Sequence, residues 1–320
     1  MHDELLSCMG PVDLLRYGRS SREHQRLVKD FIQREFVLEK LLGSFITEQE
    51  LPYFRKIHQG SQFLISGSTA LQFFTQIRYP DSDLDLYIED GRSHALLLWL
   101  ESIGYIEKRR TIADDFEWNA YAEVPGGPYE DDDPVILKVV TYERNGRQVQ
   151  VICTANTPLQ LILDFPLTCV MNFITATTAY SLYPWATFEK KLALETRRGK
   201  QCEAFKAKYV ARGWTVVKSI NKDDEASNRS DFFMHQEEGY TRYVGDRLCW
   251  VVDGVYRGQT ENSVKGAYHP VNFNSWSLVQ PSKPYHEFEI FRCDELALSY
   301  VIYGGHRLLS LLRYISGNAR

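Results

Sequence analysis

Ile65-Ser66-Gly67-Ser68-Thr69 and, a short way on, Pro80-Asp81-Ser82-Asp83-Leu84-Asp85-Leu86-Tyr87-Ile88 decide how this chain folds. The first run closes a short apolar strand over 62–66, stopped by Gly67. Ala70-Leu71-Gln72-Phe73-Phe74 then begin a helix that Arg78-Tyr79-Pro80 bring to an end. The second run is another strand, 84–88, carrying carboxylates at i and i+2. Side chains alternate along a strand, so Asp83 and Asp85 face one way while Leu84 and Leu86 face the core. Two carboxylates on one face repel unless positive charge lies between them, and a divalent cation with oxygen ligands supplies it. Gly67-Ser68 stands at the start of the intervening helix, where backbone N–H groups lacking a helical partner suit a phosphate. A phosphate cradle beside metal-binding carboxylates is the equipment of metal-assisted phosphoryl or nucleotidyl transfer. The plainer reading, a solvated edge strand with its charges outward, leaves the Gly-Ser at this distance unexplained. Asp81 reads as a turn residue. Ser68 can cap the helix and bind phosphate at once.

Upstream, residues 1–20 show no strong periodicity and read as a mobile lead-in. Leu27, Phe31, Phe36, Val37, Leu41 and Leu42 fit one amphipathic helix over 21–43, with cap candidates at Ser20-Ser21 and a stop at Gly43. A second helix is expected over 47–58, with Thr47 and Glu50 at capping-box spacing. Downstream, Glu89-Asp90-Gly91 is a turn and 94–103 a largely buried helix. The order helix, strand, helix, strand, helix indicates a mixed layered arrangement. Residues 116–124 suit a strand, and the acidic run 130–133 a solvated loop. Strands over 135–142 and 149–153 flank Asn145-Gly146, a type I′ hairpin signal that pairs them antiparallel.

Thr157-Pro158 opens a further helix as N-cap and first helical residue. The helix breaks near Phe165-Pro166 and resumes through Cys169-Val170-Met171-Asn172-Phe173. Residues 187–212 read as one polar helix whose Lys and Arg side chains form a solvated face; nucleic-acid binding is the weaker reading of that stretch. Residues 221–231 suit a connector, 240–290 a few strands or loops packed on the first domain, and 293–315 an apolar helix kinked at Gly304-Gly305.

The 320 residues suffice for about two domains, and 44% hydrophobic with 25% charged residues is ordinary for a globular chain. A net charge of -5 argues against wholesale coating of nucleic acid but allows a local basic patch. The six cysteines never form a C-x-x-C pair, which favours a reduced, intracellular, cytoplasmic setting. No apolar run is long enough for a membrane span, and the acidic start lacks a signal-peptide pattern. The histidines show no ligand spacing, and no nucleophile elbow supports a Ser-His-Asp reading.

Leu64-Ile65-Ser66-Gly67-Ser68 followed by Asp83-Leu84-Asp85-Leu86 resembles the nucleotidyltransferase superfamily with the DNA polymerase β-like fold. The wider run, with Cys169-Val170-Met171-Asn172-Phe173-Ile174-Thr175 downstream, is similar to a fungal branch of proteins with this fold. The resemblance is sharp over 61–90, looser to about 190, and absent beyond. It implies an α+β fold, a mixed β-sheet flanked by helices, in a nucleotidyltransferase-like domain over 21–190. Residues 191–320 would add a basic helix and a mixed C-terminal region. It also implies that Gly67 and Ser68 hold a nucleoside triphosphate while Asp83 and Asp85 bind Mg2+. A third carboxylate belongs on the strand after the hairpin, where Gln148-Val149-Gln150-Val151-Ile152 stands. With Val149 and Val151 facing the core, Gln150 occupies that position. An amide can ligate magnesium through oxygen but accepts no proton at neutral pH. The expectation is therefore a Mg-dependent nucleotidyltransferase moving NMP to an unknown acceptor hydroxyl. The alternative is a catalytically inactive member acting as a nucleotide-binding or protein-interaction module. Asp81, Glu143 or an acid from 130–133 would be the substitutes for the missing carboxylate.

Overall fold

The computed structural model describes residues 2–80, 82–112, 135–196, 200–219, 240–259, 270–279, 284–293 and 298–318. The strand expected over 116–124, the acidic run 130–133, the connector 221–231 and Asp81 lie outside them. The fold is α+β, a mixed sheet flanked by helices. Where the sequence reads as a lead-in, α1 (His2–Ser7) and α2 (Pro11–Arg19) are helices that bury Leu6 and Leu14. The single helix expected over 21–43 is divided. Ser21 caps α3 (Arg22–Glu35) by accepting from the His24 N–H at 3.0 Å, and Phe36 leaves helical geometry before α4 (Glu39–Leu42). Phe36, Val37 and Leu38 are all buried, so packing ends the helix where propensity would continue it. The next helix, α5 (Leu51–Ser61), starts later than expected. The Thr47 N–H donates to Glu50 Oε2 at 2.8 Å, the reciprocal half of a capping box.

The strand β1 (Leu64–Ile65) leads into α6 (Gly67–Thr75), which ends at Gln76 in left-handed geometry, ahead of the expected Arg78-Tyr79-Pro80. Then come β2 (Leu84–Glu89), α7 (His94–Ser102), β3 (Ile106–Ile112), β4 (Ile136–Arg144) and β5 (Arg147–Thr154). Asn145 and Gly146 have φ of +53° and +73°, as a type I′ turn requires, and β4 and β5 pair antiparallel. Thr157 caps α8 (Pro158–Leu163). The apolar run after it is not a resumed helix. It gives β6 (Asn172–Ile174), followed by β7 (Thr178–Ser181). The expected helix over 187–212 is likewise divided into β8 (Leu192–Leu194) and α9 (Lys200–Ala211), before β9 (Thr215–Val217). Beyond lie β10 (Thr241–Tyr243), β11 (Trp250–Asp253), β12 (Ser275–Val279), β13 (Tyr285–Glu287) and β14 (Glu289–Cys293). The C-terminal helix expected from 293 is instead β15 (Leu298–Ile302) and α10 (Gly305–Asn318), parted where the Gly pair stands.

One eight-stranded sheet runs β11-β7-β6-β1-β2-β5-β4-β3. All its neighbours are antiparallel except β2 and β5, which run parallel with Asp85 opposite Gln150. Leu84, Leu86, Ile88, Val149, Val151 and Tyr142 face a core shared with α6 and α7. Tyr87 and Ile152 face the other way, against α8 and the C-terminal strands. Asp83, Asp85 and Glu89 share the parity of Tyr87. No helix among the described residues is long and apolar enough to cross a membrane.

Candidate functional site

The site is built where β1 turns into α6 beside the start of β2. The Ser66 N–H donates to the Asp85 carbonyl at 3.3 Å, and Thr69 Oγ1 donates to the Asp83 carbonyl at 3.2 Å. These bonds fix the first turn of the helix against the carboxylate strand. Ser66 holds the N-cap position of α6 without capping it, because its hydroxyl donates to the Asn172 carbonyl at 2.6 Å. The first-turn N–H groups are left for an anion. Ser68 is buried, and its hydroxyl makes no hydrogen bond among the described residues. Gly67 has φ +64°, and a Cβ there would come 2.7 Å from Asp85 Oδ2. Only glycine allows the helix start and the carboxylate to approach this closely.

Asp83 and Asp85 lie on one sheet face. Burial, then the neighbouring Asp83 charge, push the Asp85 carboxyl up to about 7, with Lys208 acting in the opposite direction. Gln150 stands in register with Asp85, and its Nε2 donates to Asp83 Oδ2 at 2.9 Å. The amide thus turns its nitrogen, not its oxygen, toward the carboxylate, because an oxygen facing Asp83 would repel it. The group at the third position is therefore a hydrogen-bond donor. Glu143 is not a substitute: it sits on β4, with β5 between it and β2, and faces Lys108 Nζ at 3.8 Å. No cluster of three or more His, Cys, Asp or Glu able to hold a metal occurs among the described residues. A hard cation at Asp83 and Asp85 would therefore need its remaining ligands from outside these side chains, such as phosphate oxygens and water.

Two cations complete the electrostatics, and neither was singled out by sequence. Lys208, exposed on α9, is near enough for its charge to act on both Asp85 and Asp83; desolvation and Arg212 lower its pKa, and the two carboxylates oppose that. Arg212, just past the end of α9, lays its guanidinium 3.7 Å from the ring centre of Tyr79, with Nη1 buried and unbonded among the described residues. Tyr79 is held in turn by its N–H donating to Gln72 Oε1 at 2.7 Å. Gln72 also donates to the Ser68 carbonyl at 3.2 Å, so α6 carries both the cradle and the loop beneath it. The i, i+4 spacing of Lys208 and Arg212 was the available signal, but nothing in the sequence says which surface that helix face meets. An uncapped helix start, two carboxylates and two cations are the kinds of group that a metal-bound polyphosphate would need.

No known protein family matches the chain, and no curated protein matches it. A solved structure described as the complex of a CCA-adding enzyme with ATP is similar at 12% identity and a TM-score of 0.27. The match covers 50% of this chain and 35% of that one. The chain spans about a third of that structure's length.

Proposed function

We propose that this chain is a nucleotidyltransferase-like protein that binds a nucleoside triphosphate with Mg2+ and holds it without efficient transfer. The observation that carries the reading is the Gln150 Nε2 donation to Asp83 Oδ2 at 2.9 Å. Gly67, Ser68 and the N–H groups of α6 would take the phosphates, with Lys208 and Arg212 closing on them from α9. Asp83 and Asp85 would hold one Mg2+, whose role is to neutralise and orient the phosphate oxygens. Gln150 adds no negative charge for a second cation and no base for an acceptor hydroxyl. Transfer of NMP to an acceptor hydroxyl is the second reading. It is favoured by the placement of both carboxylates on the face that meets the uncapped helix start.

One experiment separates the two. Purified protein is incubated with each of the four NTPs and Mg2+, and thermal stability and pyrophosphate release are followed, with Asp83→Asn/Asp85→Asn as control. Stabilisation that needs both nucleotide and Mg2+, without release, is the expected result. Release by the wild type alone, with NMP passing to water or to an acceptor, would show a catalytic site and favour the second reading, and absence of both responses would sink both readings. Gln150→Asp is expected to tighten Mg2+ binding, since it adds a carboxylate where a donor stood.

A further inference from the structure

The strand that begins at the two aspartates ends, at Glu89, in a second polar site. Strand rise places Glu89 about 13 Å from Asp85, on the same face. Tyr87 lies between them, packed edge-on against Phe165 with ring centres 5.8 Å apart. Glu89 lines a cavity of about 40 Å³ where the ends of β2 and α5 meet the start of α8 and the C-terminal strand β15. One water needs roughly 10–15 Å³ on this measure, so the cavity has room for several waters or a compact ligand.

Three observations on its lining point to a ligand. Ser299 Oγ donates to Glu89 Oε1 at 2.8 Å, yet burial still pushes the Glu89 pKa up. The Ser299 N–H and the Arg92 and Arg292 charges also act to lower it, without overcoming the burial. Arg92, whose Nη2 donates to the Gly60 carbonyl at 3.0 Å, lines the same cavity. No ion pair within contact distance joins it to Glu89 among the described residues, so its charge acts on the carboxylate across the cavity. Tyr300 also lines the cavity; it is 1% exposed, and its buried hydroxyl has no hydrogen-bond partner among the described residues. A buried hydroxyl left unbonded costs stability unless something supplies its partner.

We infer that this cavity binds a compact zwitterion of the amino-acid type. Its ammonium group would donate to Glu89 and the Tyr300 hydroxyl, and its carboxylate would pair with Arg92. The inference is independent of the nucleotide site. A lone cation would satisfy Glu89 but approach Arg92 unfavourably, and a lone anion would do the reverse.

The test is calorimetric titration of the full chain with glycine and with L-alanine, alongside methylammonium and acetate as half-ligands at matched ionic strength. Saturable binding of glycine or alanine is expected, with each half-ligand at least about tenfold weaker, as loss of a charge-assisted bond implies. Tyr300→Phe removes only an unpartnered hydroxyl, so its melting temperature should not fall, while its affinity drops about three- to tenfold. Glu89→Gln should abolish binding. The inference is overturned if neither amino acid gives a saturable signal, which would mean that the cavity holds water alone. It is equally overturned if methylammonium binds as tightly as glycine, or if Tyr300→Phe binds as the wild type does.

Discussion

Gly67→Ala tests whether the helix start and the carboxylate strand are held together as the geometry demands. The backbone at Gly67 has φ +64°, and holding an alanine in left-handed geometry costs roughly 1–2 kcal/mol. The added Cβ would lie 2.7 Å from Asp85 Oδ2, well inside van der Waals contact. Asp85 cannot swing away freely, because β2 is tied on both sides within the sheet and Asp83 repels it. Overpacking of this kind costs about 1–3 kcal/mol. The sum, about 2–5 kcal/mol, should appear as a lowered urea midpoint at unchanged slope. The two causes separate in a double-mutant cycle. In an Asp85→Ala background the clash vanishes, since the next side chain, Tyr87, has its hydroxyl at 3.8 Å, an ordinary contact. Gly67→Ala there should cost only the backbone part, a coupling of about 1–3 kcal/mol. A single mutant within 0.5 kcal/mol of the wild type, or a cycle with no coupling, would refute the close approach of Gly67 to Asp85.

Three further outcomes follow from the same structure. With its folded pKa raised from 3.8 to about 7, Asp85 binds its proton more tightly in the native state. Metal-free stability should therefore fall as pH rises from about 4 to 7, by up to roughly 4 kcal/mol; Asp85→Asn should flatten this, and Mg2+ should stabilise more at pH 8 than at pH 5. Glu50 behaves oppositely. Arg144 grips it through Nη1 at 2.7 Å and Nη2 at 2.9 Å and holds its carboxyl down to about 2. Its stabilisation, present above the ordinary carboxylate range, should be lost as pH falls from about 4.5 through 2, and Arg144→Ala should destabilise by about 2–4 kcal/mol in chemical denaturation. Finally, Lys208→Ala and Arg212→Ala should each weaken nucleoside triphosphate binding about tenfold in a titration, and Lys208→Ala should leave the melting temperature unchanged because its side chain is exposed.

The parts legible in sequence were those with a strong local cause. Alternation around Asp83-Leu84-Asp85-Leu86 set the faces of β2, and parity around Val149 and Val151 put Gln150 beside the carboxylates. Asn145-Gly146 forced the hairpin through its two positive φ angles. The failures share a different cause. Cys169-Val170-Met171-Asn172-Phe173 is a short apolar run that suits a helix or a buried strand equally. The pairing of Ile174 with Ile65 settles it, a contact no local pattern announces. The same holds for β15, whose Ile290–Val301 pairing with β14 overrides an apolar run that reads as helix. Lys208 was visible as a basic residue but not as part of the site, because its neighbours Asp83 and Asp85 lie far away in the chain.

What Gln150 changes is the electrostatic state of the site before anything binds. A carboxylate there would put a third negative charge beside two that already repel, and a cation would be needed to hold the arrangement. With an amide, Asp83 is satisfied by an N–H and Asp85 keeps its proton up to about pH 7, so below that pH the empty site carries one carboxylate charge rather than three, at a cost in stability that grows with pH. A divalent cation bound as proposed would have to displace the Asp85 proton and compete with Gln150 for Asp83, which would weaken its grip in the absence of other ligands. On the proposed function, a nucleotide would restore the balance by supplying phosphate oxygens to the same cation, with Lys208 and Arg212 against the remaining negative charge. Metal and nucleotide binding should accordingly be mutually dependent, each tightening the other by the same factor. Titrating Mg2+ with and without nucleotide measures that factor directly, and equal metal affinities in the two titrations would rule this account out.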